Sequence, residues 1–136
     1  MSLAVLEARG HELAWAVHAG PLLARLPEGA RIYPLDAAGA GFDLAADAGA
    51  VRGLESVRVF FEDYAIPLAR SVLAPLEAAV AAFRPDALVV DHQMLAGALV
   101  ARQSGLPWAT LVTTSASILK MSPAFDDWVE EQYRGV

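Results

Sequence analysis

The chain contains no cysteine, which excludes both a disulfide framework and a thiolate metal site. Histidine is scarce, at three residues, so other soft metal ligands are few. Lysine is nearly missing: Lys120 stands alone against nine arginines. Basic charge is the minority sign, with a formal net charge of -6 and a pI near 4.9. That balance argues against a nucleic-acid backbone or an anionic membrane as partner, since both attract basic surfaces. Apolar runs are interrupted by Arg, Asp or Glu before they reach the roughly 18 residues of a membrane span. The start lacks the basic-then-apolar plan of a secretory signal. Also missing are G-x-G-x-x-G, G-x-x-x-x-G-K-[ST] and H-E-x-x-H, the common phosphate cradles and zinc helix, and the G-x-S-x-G nucleophile elbow. The "GAGF" at Gly39 to Phe42 is too short to hold a phosphate. These absences point to a soluble, cytoplasmic protein that meets small molecules or other proteins.

What is present is 136 residues, 56% of them hydrophobic, enough for one domain that buries roughly two-thirds of its unfolded surface. Short apolar runs alternate with helical stripes, the pattern of an α/β domain with a mainly parallel sheet. Ser2 to Ala8 reads as the last turns of a helix stopped at Gly10. Glu12 to Val17 reads as a strand, Pro21 to Leu26 as a short helix opened by proline, and Ala30 to Leu35 as a strand that Pro34 restricts to an edge or an end. Asp36 to Gly53 is small, glycine-rich and acidic, and reads as an irregular loop. From Leu54 to Phe83 apolar residues recur every three or four positions, giving one buried helical face, with Pro67 and Pro75 expected to kink or split it. Ala87 to Val90 is unbroken aliphatic, suited to a central strand covered on both faces. Met94 to Gln103 follows as a helix, with Gly97 allowing close approach to the sheet. Trp108 to Val112 is a strand, Thr113 to Ser117 a hydroxyl-rich loop, and Pro123 to Gln132 a final helix.

In open parallel sheets ligands bind beyond the carboxyl ends of the strands, which singles out His18, Asp36, Asp91 with His92, and the Thr113 to Ser117 loop. Each also has a structural reading. Asp91 is suited to cap the helix that begins near Met94. His92 reads as exposed, and a direct Asp91–His92 pair is disfavoured because adjacent side chains at a strand end point apart. His18 reads as a polar loop residue within reach of a ligand. The loop hydroxyls suit turns and caps, and Phe60, Phe61 and Tyr64 stand at the spacing of a helix core.

The segments "LEARGHELAWAV" (Leu6 to Val17) and "FRPDALVVDHQMLAGALVARQSGLPWATLVTTSAS" (Phe83 to Ser117), with the long helix between them, resemble the N-terminal, acceptor-binding domain of bacterial natural-product glycosyltransferases of the GT-B fold. The combination of R-G-H-E, R-P-D-x-x-V-x-D and G-L-P-W at these separations carries the resemblance over nearly the whole chain. It implies a Rossmann-like domain over residues 1–136, truncated at both ends. It also implies an inverting transfer, in which a histidine takes the proton of an acceptor hydroxyl that attacks a nucleotide-activated sugar. An aspartate orients that histidine and stabilises its imidazolium, and Asp91 falls at the position of that aspartate. The histidine is expected in a loop after the family's first strand, upstream of the helix ending at "EARGHE". His11, at the amino end of its strand, is not promoted to that role.

On this resemblance the acceptor is a bulky, apolar, hydroxylated small molecule. Its pocket would be built at the strand ends, with His18, Phe61, Tyr64, His92, Thr114 and Ser115 as substrate-binding candidates. No metal and no cofactor are implied, and a nucleotide sugar would be bound by a separate C-terminal domain. Without the first strand, two apolar strand edges would face a gap. The expectation is that the sheet closes directly, that a second copy fills the gap and makes a homodimer, or that the strand order rearranges. A non-catalytic binding or assembly module with the same fold is the contrasting reading. A flavodoxin-like nucleotide binder is disfavoured by the lack of a glycine-rich phosphate turn.

Overall fold

A computed structural model describes residues 4–18, 23–35, 54–112 and 123–134. The first helix, α1 (Ala4–Ala8), ends where Gly10 takes a positive φ of 85°. The N–H of Gly10 then donates to the carbonyl of Glu7 at 2.9 Å and that of His11 to Leu6 at 3.1 Å. Strand β1 (Ala14–Val17) follows, then a 3-10 turn at Leu23–Arg25, the described part of the short helix expected over Pro21 to Leu26, then β2 (Arg31–Pro34). β1 and β2 pair in parallel, with Val17 opposite Pro34. Proline is tolerated there because it closes a strand that, among the described residues, has β1 as its only sheet neighbour.

The long apolar stripe forms α2 (Leu54–Val59), a π-helical turn (Phe60–Ala65) and α3 (Ile66–Phe83). The break has a local cause. Pro67 has no N–H to donate, and its ring would strike the carbonyl four residues earlier. Widening the preceding turn moves that carbonyl aside, and the N–H of Ile66 reaches back to Phe61. Pro75, by contrast, stands inside a helix that continues to Phe83. Arg84 then adopts a left-handed φ of 54° and donates to Val80 at 2.8 Å, and Pro85 prevents continuation. By length and composition Val57–Phe83 could cross a membrane. Its apolar face nevertheless forms the core: Leu68, Val72 and Leu76 are buried against Leu95, Ala96 and Val100 of α4 (Leu95–Gln103).

β3 (Leu88–Asp91) and β4 (Trp108–Leu111) flank α4 in sequence and pair in parallel, with Asp91 opposite Leu111. The last helix, α5 (Pro123–Arg134), lays Trp128 and Val129 against the core. This is the expected α/β architecture of short parallel strands with flanking helices. The described strands form two separate two-stranded sheets, β1–β2 and β3–β4, so of the three outcomes expected for the gap, direct closure is not found among them. One expectation is corrected. β3 is covered on one face only: Val90 is 7% exposed, whereas its neighbour Val89 is 59% exposed, because alternate strand residues face opposite ways and α4 packs on one side.

Candidate functional site

β1 and β3 end at Val17 and Asp91, which brings His18, Asp91 and His92 to carboxyl ends of strands, where ligands of open sheets collect. Asp91 Oδ1 accepts the N–H of Gln93 at 2.8 Å, and the Asp91 carbonyl accepts the N–H of Met94 at 2.9 Å. The carboxylate thus closes a tight turn ahead of α4 rather than capping the helix itself, whose N-cap residue Met94 makes no side-chain cap bond. An aspartate bonding its own backbone two residues on is a favoured way to leave a strand. The side chain remains 41% exposed, so a ligand can still reach it.

His92 differs from its expected exposure and direction. Its side chain is 13% exposed, and its Nδ1 lies 3.7 Å from Asp91 Oδ1. Alternation governs residues inside a strand, and His92 lies beyond Asp91, the last residue of β3. His92 and Gln93 form a turn, held by the His92 N–H donating to the Leu111 carbonyl at 3.1 Å. At 3.7 Å the two side chains are beyond hydrogen-bond distance, yet a protonated imidazole there would be attracted to the carboxylate. His18 is half-buried directly after β1, with its Nε2 shielded from solvent.

Phe61 and Tyr64 lie elsewhere, in an aromatic cluster with Phe60 and Trp128. The Phe61 and Trp128 rings meet edge to face at 5.6 Å, and Phe60 and Tyr64 stand 5.7 Å apart. This is the core reading of those aromatics, and neither residue lines the cavity that contains Asp91. Thr114, Ser115, the rest of the hydroxyl loop and Asp36 lie outside the described residues.

That cavity is an apolar groove of about 520 Å³ between the two sheets. β1 and β3 form its walls, Val80 and Phe83 of α3 contribute from the helix layer, and Asp91 and Met94 belong to its lining. Tyr33 and Phe83 meet edge-on at 6.3 Å, and the Arg31 guanidinium lies 5.6 Å above the Phe83 ring. Neither aromatic was legible as a site residue: Phe83 stands on the apolar stripe of the long helix, and Tyr33 lies in a short strand that carries no site signal. Among the described residues no three His, Asp or Glu side chains converge as a metal-ligand set.

No family model matches the chain, and no curated protein matches it. A solved structure does: the crystal structure of the glycotransferase of kitacinnamycin superposes with a TM-score of 0.56 at 21% identity. That likeness identifies the fold. It covers 98% of this chain and 32% of the other, so this chain spans about a third of the length of the structure it matches. The Rossmann-like arrangement of parallel strand pairs and flanking helices is therefore shared with a piece of a glycosyltransferase, at an identity that speaks for architecture alone.

Proposed function

We propose that this chain is the acceptor-side part of a sugar-transferring enzyme of the inverting, GT-B type. The observation that carries the reading is the continuous likeness of 98% of the chain to part of a solved glycotransferase. The position of Asp91 at the carboxyl end of β3, half open and with one carboxylate oxygen fixed by the Gln93 N–H, is what the chemistry asks of an orienting acid. On this reading Asp91 holds and stabilises the imidazolium of a histidine that removes the proton of the acceptor hydroxyl. That histidine and the nucleotide-sugar site belong to other parts of the whole transferase, and this chain alone transfers no sugar. The acceptor is apolar and hydroxylated, with its body against the Asp91 end of the groove, whose volume of about 520 Å³ falls within the range of small-molecule sites.

Titration calorimetry of the folded chain, with a panel of hydroxylated polyketide aglycones and separately with nucleotide sugars, tests this. The expected result is aglycone binding that Met94→Asp weakens at least tenfold, with no heat from nucleotide sugars. Nucleotide-sugar binding without aglycone binding would overturn the assignment in favour of a nucleotide module. Silence on both would remove the acceptor site from this chain taken by itself.

A further inference from the structure

The turn that carries Asp91 is tied to α4 by consecutive backbone bonds. The Asp91 carbonyl accepts the Met94 N–H at 2.9 Å, and the Met94 carbonyl accepts the Gly97 N–H at 3.0 Å. Between them the Asp91 carboxylate folds onto the Gln93 N–H at 2.8 Å. The Asp91 turn is therefore linked by hydrogen bonds to Gly97, the residue at which α4 meets β3.

Gly97 needs to be glycine for space, since its φ lies outside the left-handed region. A Cβ at this position would stand 2.5 Å from Val90 Cγ1 and 3.1 Å from Val90 Cγ2. Val90 has few ways to turn aside, because a β-branched side chain has few χ1 states and this one is buried beneath α4. Val90 is also the residue immediately before Asp91. Any side chain at Gly97 must lift α4 from the strand or push the strand end aside, and either motion passes directly into the Asp91 turn.

We propose that Gly97 is a positioning residue for Asp91, letting α4 seat on Val90 at the depth that folds the Asp91 carboxylate onto the Gln93 amide and aims its exposed side at the site. The functional weight of this rests on reading Asp91 as the orienting acid, but the test does not require sugar transfer. The readout is the Gln93 amide proton resonance in a two-dimensional NMR spectrum of the full chain, with Asp91→Ala marking its position when the carboxylate acceptor is gone. Gly97→Ala is expected to move that resonance more than half of the way to the Asp91→Ala position. Adding Val90→Ala, which removes the two methyls in conflict, should return it. Val90→Ile, which crowds the same contact from the strand side, should shift it in the same direction. A Gly97→Ala protein that keeps the wild-type Gln93 resonance would overturn the proposal, leaving Gly97 a packing residue only. If Gly97→Ala does not fold, Val90→Ile decides by the same criterion.

Discussion

On the proposed function Asp91 has two jobs, closing the turn and orienting a base, and two substitutions separate them. Asp91→Asn keeps an oxygen that can accept the Gln93 N–H while removing the charge. Stability should then stay within about 0.5 kcal/mol, whereas, if the proposed function holds, sugar transfer by the full-length protein should lose roughly 10²–10⁴ in kcat, the usual weight of a general acid–base function. Asp91→Ala removes the turn bond as well and should lower the unfolding free energy by about 1 kcal/mol, read from urea denaturation. An asparagine variant with full turnover would remove Asp91 from the chemistry. A second carboxylate reports on the helix surface. The Arg58 guanidinium hydrogen-bonds Glu55 at 2.6 Å and also lies 3.4 Å from Glu62. That hydrogen bond, followed by the charge of Arg58, holds the Glu55 carboxyl below its usual range. Because the folded value is the lower one, the contribution to stability is complete above the unfolded value and is lost as pH falls through the folded one. Both groups are solvent-exposed, so the effect on stability is small. Arg58→Ala should return the Glu55 titration, followed by carboxyl-carbon NMR, to the ordinary carboxylate range.

At the scale of the element, the two prolines of the long helix behave differently. Pro67 is accommodated by the π-turn before it, whereas Pro75 stands within α3 and deprives the Ser71 carbonyl of its usual partner. Pro75→Ala should restore that bond and stabilise the protein by about 1–2 kcal/mol after allowing for the freer unfolded chain, visible as a higher urea midpoint. A lower midpoint would show that the proline ring itself fills a needed space. The helix was legible in sequence because the residues from Val57 to Phe83 repeat at helical spacing, but the position of its break was not. Either proline could have split it, and the outcome depends on where the turn can widen without taking Phe61 out of the core. The strands were legible from their aliphatic runs. The partnership of Asp91 with Gln93 and its nearness to His92 were not, since they depend on the residue at which the chain leaves β3 for the turn.

The whole molecule carries a mismatch between its strand chemistry and its layers. Parallel strands are normally covered on both faces, and the run Leu88 to Val90 is aliphatic enough for such a position. Yet Val89 is exposed, and so are Trp108 and Leu111 across β4, while an apolar groove separates the two strand pairs. The short apolar runs identified these strands without indicating what lies between or upon them, because adjacency of strands is a long-range property that no short pattern encodes. Two neighbouring valines measure the consequence. Threonine has nearly the shape of valine but carries a hydroxyl that must be solvated or paired. At Val90, beneath α4, Val→Thr should cost about 1–3 kcal/mol for the buried hydroxyl. At Val89, facing solvent, the same change should cost no more than about 0.5 kcal/mol. Equal losses at both positions in urea unfolding would mean that the Val89 face is covered in solution. If a second copy provides that cover, the sedimentation coefficient of the wild-type chain should rise with concentration and that of Val89→Thr should rise less.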